Sequence, residues 1–207
     1  GMKWTGHKYV NKVKNMAYAI SQLGTDIDPR GAMIVGVAEV ENMRCLQDVA
    51  DKLKEHNRNY TPVLEEGPDR RGVDVGFLYN AEMFKPMTIK GYELHAHYAD
   101  GGLVRTRLQL LMSGYIMADG RPEKVHVIVA HWPSRYGGEV VSRPTRDTAA
   151  MLCKSICDSI YRVEPRAKII VMGDLNDDPY NHSCAVIMNA KKTREEVKEQ
   201  GFFNTMW

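Results

Sequence analysis

The sequence predicts a mixed α/β domain, because segments with strand patterns alternate along the chain with segments of helical periodicity. A continuous apolar run at 33–38 is typical of a strand buried on both faces, and a shorter one lies at 169–172. Apolar residues recur at helical spacing over 8–23 and 143–161. Since the chain contains no repeat, low-complexity tract or linker, we expect a single domain over residues 1–207.

The composition is that of a globular protein. With 43% hydrophobic and 26% charged residues, it argues against wholesale disorder, collagen or a coiled coil. No apolar run approaches the ~18 residues of a membrane span. A net charge of +2 does not describe a strongly basic nucleic-acid wrapper, although it permits a local basic groove. Gly1 is expected to be the remnant of a cleaved tag. The native compartment, cytoplasmic or exported, and the oligomeric state stay open.

The four cysteines lack the spacing of a zinc site and the density of a disulfide scaffold. Cys153 and Cys157 are four residues apart in a helical pattern, so we expect them on one buried face.

In the first half of the chain, the apolar stripe of helix 8–23 includes Val10 and Leu23. The strand at 33–38 ends at Glu39, and Asn42 is a suitable N-cap for a second helix. The polar, Pro- and Gly-containing segment 57–72 predicts a loop.

In the remaining part, strands are predicted at 73–79, at 83–89 after a turn, and at 105–117. Valines at 125, 127 and 129 predict a further strand, which ends at His131. The charged segment 192–199 predicts a helix.

Polar groups thus follow three apolar strands: Glu39, His131 and Asp174. Rigid strands deliver functional side chains to one rim of sheet-based enzymes, so these three are candidate site residues. Asp174 and Asn176 would face the same side in an extended stretch and could orient a water and donate to an oxyanion. A simple turn explains the Gly-Asp-Leu-Asn-Asp-Asp-Pro segment equally well.

His131 is a candidate acid or base, although a strand-end histidine is more often structural. Asp74, on a neighbouring strand, is a possible partner that would raise the pKa of His131. Arg71 and Arg135 are candidate phosphate contacts. The carboxylate of Glu39 suits Mg²⁺, and Glu41 is either a second acid or the start of the next helix.

A zinc site at His95 and His97 is a weaker alternative, because no third or fourth ligand is evident nearby.

Five motifs occur in a fixed order: Ala-Glu-Val-Glu-Asn, Arg-Arg-Gly-Val-Asp-Val-Gly-Phe-Leu-Tyr, Thr-Arg, His-Trp-Pro-Ser-Arg-Tyr-Gly-Gly and Gly-Asp-Leu-Asn-Asp-Asp-Pro. In this order they resemble the endonuclease/exonuclease/phosphatase superfamily, with the fold of deoxyribonuclease I, and most closely its bacterial subgroup with a His-Trp-Pro-Ser-Arg motif. The resemblance implies a four-layer α/β sandwich of two packed sheets flanked by helices. It also implies Mg²⁺-dependent hydrolysis of a phosphate ester by an activated water, with Mn²⁺ as a possible substitute.

The resemblance also implies roles for single residues. Glu39 would bind the metal, Asp174 would orient or deprotonate the attacking water, and Asn176 would donate to the phosphoryl group. His131 would stabilise charge on the phosphate or act as the acid, and Arg107 would contact the phosphate. The substrate is left open among a nucleic acid, a nucleotide and a phospholipid headgroup.

Two departures from the family pattern concern the ends of the sequence. The family begins with a strand that ends in a functional Asn and finishes with a Ser-Asp-His-type motif; neither is present here. We therefore expect a domain truncated at both ends, with weak or no activity, because catalytic residues fail as a unit. The alternative is a non-catalytic pseudo-enzyme that binds a phosphorylated ligand or a partner protein.

Overall fold

The computed structural model describes residues 5–98, 100–118 and 120–207, so the predicted tag remnant at Gly1 lies outside the described residues. The described chain has three long helices and nine strands, together with short turns of 3₁₀ helix and one of π-helix. In chain order they are α1 (Gly6–Gln22), β1 (Ile34–Val40), α2 (Met43–Leu53), β2 (Tyr60–Leu64), β3 (Asp74–Asn80), β4 (Phe84–Tyr92), β5 (Gln109–Ala118), β6 (Arg121–His131), α3 (Glu139–Val163), β7 (Lys168–Asp174), β8 (Ala190–Lys191) and β9 (Phe202–Phe203).

The larger strands form two sheets. Sheet I has the order β1-β3-β2 and is antiparallel, whereas sheet II has the order β4-β5-β6-β7. Within sheet II only β6 and β7 are parallel, and α3 makes the connection between them, as a parallel pair requires. Strands β8 and β9 form a small separate pair.

Three apolar clusters lie between the helices and sheets and so define four layers. Between α1, α2 and sheet I lies a cluster with Ala17, Leu46 and Leu78. Side chains such as Phe77 and Met112 fill the space between the two sheets. A third cluster joins α3 to the other face of sheet II. The order of layers is therefore helices, sheet I, sheet II and helix, which confirms the predicted sandwich of two packed sheets flanked by helices.

Several predicted elements are confirmed with shifted ends. The side chain of Asn42 accepts a hydrogen bond from the backbone N–H of Cys45 (3.0 Å) and so caps α2. Cys153 and Cys157 are both free and fully buried in the cluster beneath α3. At the two ends of the predicted stripe on α1, however, Val10 and Leu23 are exposed.

The loop predicted over 57–72 was partly wrong, because it contains β2. This strand pairs only with β3 and lies at the edge of sheet I. An edge strand tolerates Pro62, whose missing N–H would break the ladder of a central strand. The polar residues that suggested a loop are therefore compatible with a strand in this position.

Two other predictions also differ from the structure. Of the helix predicted at 192–199, only a 3₁₀ turn over Arg194–Glu196 is present. The strand predicted from residue 105 begins at Gln109. The turn that was expected after β3 carries the chain from sheet I to sheet II, so β3 and β4 do not pair. Among the described residues, no helix is long and apolar enough to span a membrane.

Candidate active site

The three strand-end groups come together at one rim of the sandwich. In the parallel register of sheet II, His131 at the end of β6 is paired with Asp174 at the end of β7. The distance from His131 Nε2 to Asp174 Oδ2 is 3.8 Å. Because β1 packs across β6 and β7, Glu39 lies close enough for its charge, like that of Asp174, to act on the His131 ring.

Glu39 is presented by an irregularity in β1. The pairing register with β3 shifts between Val37 and Val40, and Glu39 adopts a φ of +58°, which is uncommon for a residue with a side chain. This β-bulge leaves 58% of the carboxylate side chain exposed. One carboxylate oxygen accepts a hydrogen bond from Arg71 Nη1 at 3.2 Å.

Gly173 allows the close approach of β6 and β7 just before the paired site residues. Its φ is +130°, and a Cβ at this position would lie 1.9 Å from the carbonyl oxygen of Ala130. Since backbone atoms cannot yield by that much, glycine is required here. This glycine therefore determines how Asp174 is placed beside His131.

Asp174 and Asn176 form a turn and not an extended segment. Asp174 Oδ1 accepts a hydrogen bond from the backbone N–H of Asn176 (3.0 Å), and Asn176 has a φ of +52°. The Nδ2 of Asn176 donates to the carbonyl oxygen of Trp132 at 2.9 Å. The segment therefore folds as a turn, which brings Asn176 next to the residue after His131.

His131 is buried, with only 6% of its side chain exposed, and its Nδ1 has no hydrogen-bond partner among the described residues. Burial lowers the pKa of His131 and the charge of Arg107 lowers it further, against the opposite effects of Asp174 and Glu39. The neutral form of the ring is therefore favoured.

The predicted pairing of Asp74 with His131 is absent from the structure. The two side chains share no hydrogen bond or ion pair, and Asp74 Oδ1 instead accepts from the backbone N–H of Gly67 (2.9 Å). Burial raises the pKa of Asp74 despite that bond. Asp74 is thus a buried residue that anchors the loop before β3.

Arg107 lies beneath the rim and is 6% exposed. Its Nη2 donates to the Trp132 carbonyl at 2.7 Å, and its Nη1 donates to Asp69 Oδ2 at 3.0 Å. Because Asn176 donates to the same carbonyl, Trp132 links Arg107 to the Asp174 turn. Nothing in the sequence pattern marked the backbone of Trp132 or the carboxylate of Asp69 as site components.

Arg135, a predicted phosphate contact, is held by the chain itself. Its Nε donates to the Asn176 carbonyl (2.8 Å), and its Nη2 donates to Asp178 (2.9 Å) and Asn181 (2.9 Å). The carboxylate of Asp178 raises the pKa of the Arg135 guanidinium. The observed contacts of Arg135 therefore stabilise the turn after β7.

A buried arginine supports this turn from below. Arg146, on α3, is fully buried and donates to Asp177 Oδ1, Ser142 Oγ and Glu139 Oε2, each at 2.7 Å. Asp177 is also close to Arg135 (3.3 Å) and is 2% exposed. The only sequence feature that marked Arg146 was its charge at a position of the predicted helix where an apolar core residue is expected.

A groove of about 770 Å³ runs beside the site along the outer edge of β7. Asp174, Asn176 and Arg135 lie in its wall together with apolar side chains from β9 and the following residues. The two histidines of the alternative zinc site, His95 and His97, lie outside this groove and are exposed. In the described ranges, no group of three or more His, Cys, Asp or Glu residues could hold a metal ion.

The sequence was then compared with known proteins. A profile of the endonuclease/exonuclease/phosphatase family matches residues 1–207. The chain belongs to this family. Members of the family hydrolyse phosphate esters and generally use divalent metal ions. A comparison with curated protein sequences gives no significant match.

Solved structures agree with the fold of this endonuclease/exonuclease/phosphatase family member. Truncated TDP2 from Caenorhabditis elegans is 19% identical, with a TM-score of 0.54 over 93% of this chain and 62% of that chain. The mannosyl-6-phosphatase of Bacteroides thetaiotaomicron is 14% identical (TM-score 0.61; 89% of this chain, 66% of that one). An endonuclease/exonuclease/phosphatase from Bacteroides vulgatus is 15% identical (TM-score 0.59; 86% and 63%). The chain thus spans 62% to 66% of the length of these three structures.

Proposed function

We propose that this chain is a metal-dependent phosphoesterase that hydrolyses a phosphate ester with an activated water. The observation that carries the proposal is the meeting of Glu39, His131 and Asp174 at one rim, where the parallel register pairs the last two. Family membership supports the reaction class, and the solved relatives include a phosphatase of a sugar phosphate. The substrate remains within the class of phosphate esters.

Each site residue has a role that its surroundings support. Asp174 is 59% exposed at the rim, so its free carboxylate oxygen can orient or deprotonate a water. The lowered pKa of His131 favours its neutral ring, which can donate a hydrogen bond to developing negative charge, so we assign it charge stabilisation and not proton donation. Asn176 holds the turn of Asp174, and its amide group lies beside the same rim.

Arg71 is the arginine that we place against the phosphate. It is 56% exposed and lies between the site acid Glu39 and the loop before β3. A guanidinium can bind two phosphate oxygens at once, which suits it to receive charge in the transition state. Both terminal nitrogens of Arg107 already donate within the protein, Nη2 to the Trp132 carbonyl and Nη1 to Asp69, so we assign its positive charge a supporting part from below the rim.

The donor set at the rim fits a hard divalent cation. Glu39 and Asp174 both present exposed carboxylate oxygens, and Mg²⁺ binds through one or two carboxylates while it keeps several waters. We propose Glu39 as the metal ligand, with Mg²⁺ or Mn²⁺ as the ion. Bound there, the cation would supply Lewis-acid stabilisation of negative charge on the phosphate oxygens.

The proposal is tested by hydrolysis of bis-p-nitrophenyl phosphate and p-nitrophenyl phosphate during a Mg²⁺ titration. We expect slow turnover that depends on the metal and is abolished by EDTA. Asp174→Ala should reduce kcat at least about 100-fold, a loss typical of a missing base. The matched control is Asp158→Asn, which removes a carboxylate on α3 that is 45% exposed and pairs with Lys154. Equal activity of the wild type and Asp174→Ala would refute the mechanism.

A second candidate function is the binding of a phosphorylated ligand without turnover. It is favoured by two contacts: Glu39 is bonded to Arg71, and the amide of Asn176 is occupied by the Trp132 carbonyl. Absence of hydrolysis of either ester, together with measurable binding of inorganic phosphate, would support this function over catalysis.

A further inference from the structure

One buried carboxylate contacts both arginines of the rim. Asp69 Oδ1 accepts from the backbone N–H of Arg71 (2.8 Å) and is 3.4 Å from the Nε of Arg71, while its Oδ2 accepts from Arg107 Nη1 (3.0 Å). The Asp69 side chain is 5% exposed. Among the described residues, Asp69 is the carboxylate that contacts both Arg71 and Arg107, whereas Asp177 lies between Arg135 and Arg146.

The contact with Arg71 has a definite direction. Asp69 holds the Nε edge of the guanidinium, and the Nη1 on its far side reaches Glu39 at 3.2 Å. A guanidinium is planar and rigid, so fixing one edge also fixes the plane and the remaining donors. Without Asp69, the exposed and flexible Arg71 side chain would lose the contact that aims it at the rim.

The contact with Arg107 fixes the other end of the assembly. Arg107 donates to the carbonyl of Trp132, which follows His131 at the end of β6 in sheet II. Because Asp69 accepts from Arg107, the position of Asp69 is fixed relative to sheet II. Among the described residues, Asp69 is the carboxylate that forms an ion pair with this buried cation, at 3.0 Å. A buried charge needs such a partner.

We propose that Asp69 is a positioning residue that aims Arg71 at the phosphate of the substrate by tying it to the buried Arg107. The proposal rests on the proposed function, in which Arg71 receives the phosphate. It assigns Asp69 no contact with the substrate. Asp69 holds the guanidinium of Arg71 in one orientation. The Arg71 side chain therefore loses less conformational freedom when an anion binds.

The test measures binding of inorganic phosphate by isothermal titration calorimetry without added metal, together with kcat and KM for bis-p-nitrophenyl phosphate. The variants are Asp69→Asn, Arg71→Ala and the double variant. We expect each single variant to weaken phosphate binding about tenfold, the typical value of one charge-assisted contact. The double variant should be weaker than either single variant by less than about threefold, because both changes remove the same contact.

The matched control is Asp28→Asn. Asp28 likewise accepts from the backbone N–H and the Nε of the arginine two residues later, Arg30, but within the described part of the chain its carboxylate contacts no second arginine. Its phosphate affinity and KM should equal those of the wild type. Circular dichroism checks that each variant is folded. If Asp69→Asn does not fold, Asp69→Glu retains the buried charge while displacing the carboxylate, and it should weaken phosphate binding.

Three results would overturn the proposal: a folded Asp69→Asn (or, in its place, Asp69→Glu) variant with wild-type phosphate affinity, losses that multiply in the double variant, or a wild type that does not bind phosphate. Turnover by the wild type distinguishes failure of the role of Asp69 from failure of the proposed function. If the wild type hydrolyses the ester while one of these results holds, only the role of Asp69 is refuted. If it neither hydrolyses nor binds, the proposed function fails as well.

Discussion

Asp28 and Asp69 are two aspartates with the same local contact and different surroundings. Each accepts a 2.8 Å hydrogen bond from the backbone N–H of the arginine two residues later, and each also contacts the Nε of that arginine. Asp28 is 28% exposed and its carboxylate contacts only Arg30 among the described residues, whereas Asp69 is 5% exposed and binds Arg107 as well. The same short motif therefore forms a surface turn in one place and part of a candidate active site in the other.

The difference shows how burial changes the consequence of a charge pair. In water, an exposed pair such as Asp28–Arg30 gains little, because both charges are also solvated when apart. At Asp69, solvent is excluded, and loss of either partner leaves a charge without compensation. The predictions below separate these two situations.

The largest effect is expected on stability. Asp69→Asn should lower the free energy of unfolding by about 3 kcal/mol, because it leaves the buried guanidinium of Arg107 without a counter-charge. Asp28→Asn should cause no comparable loss. Urea denaturation of the three proteins at pH 7 measures both values. Equal free energies of unfolding for Asp69→Asn and Asp28→Asn would show that burial of Asp69 does not increase the contribution of its charge pair to stability.

A smaller effect is expected when both buried charges are removed. The double variant Asp69→Asn/Arg107→Met should be more stable than Asp69→Asn alone by about 1–3 kcal/mol, since no unpaired charge then remains. The same denaturation experiment provides the measurement. If the loss of stability in the double variant equals the sum of the losses in Asp69→Asn and Arg107→Met, the unpaired charge is not the cause of the destabilisation.

The stability difference should also depend on pH. Burial opposes ionisation of Asp69, but the hydrogen bonds and charges of Arg107 and Arg71 outweigh it, so the pKa of Asp69 lies below its ordinary 3.8. A lowered pKa contributes stability that is fully present above pH 3.8 and is lost as the pH falls through the folded value. The gap between wild type and Asp69→Asn should therefore be constant from pH 5 to 7 and narrow below pH 3.8. A gap that stays constant in acid would contradict this ionic origin.

The hydrogen bonds from Arg30 lower the pKa of Asp28 from 3.8 to about 2, so the contribution of this pair is lost as the pH falls from 3.8 through about 2. Asp28→Asn supplies the comparison in the same denaturation series.

The smallest effect is expected from the two exposed arginines. Arg71→Ala should change the free energy of unfolding by less than about 1 kcal/mol, as is typical of exposed pairs. Arg30→Ala should likewise leave the stability nearly unchanged. Thermal unfolding monitored by circular dichroism is sufficient for the comparison. A large loss for Arg71→Ala would mean that Arg71 is a structural residue and would weaken its assignment to the phosphate.

Much of the fold could be predicted from the sequence because its signals are local. Helical periodicity located α1, α2 and α3, and apolar runs located β1 and β7. The edge strand β2 was missed because its polar residues and Pro62 resemble a loop unless the strand's position in the sheet is known. The helix expected at 192–199 reduces to one turn, since charges alone supply no apolar face to bury.

The candidate site shows the same division. That polar residues follow strands β1, β6 and β7 was visible in the sequence, and the structure brings these residues to one rim. The partners of those residues were not visible: Asp74 bonds to Gly67 and not to His131, and Arg135 bonds to the turn after β7. Such partners depend on the register and packing of distant strands, which no local pattern specifies.

The sequence by itself determined the order of the three long helices and of the larger strands except β2, the glycine before Asp174 and the motifs that indicate a phosphoesterase family, because each depends on neighbouring residues. Only the tertiary structure decided that Asp69 meets Arg107, 38 residues later in the chain, and that the Trp132 carbonyl joins Arg107 to Asn176. The physical reason is that burial and hydrogen bonding between distant segments are properties of the packed chain. The same aspartate motif at Asp28, left at the surface, acquires neither.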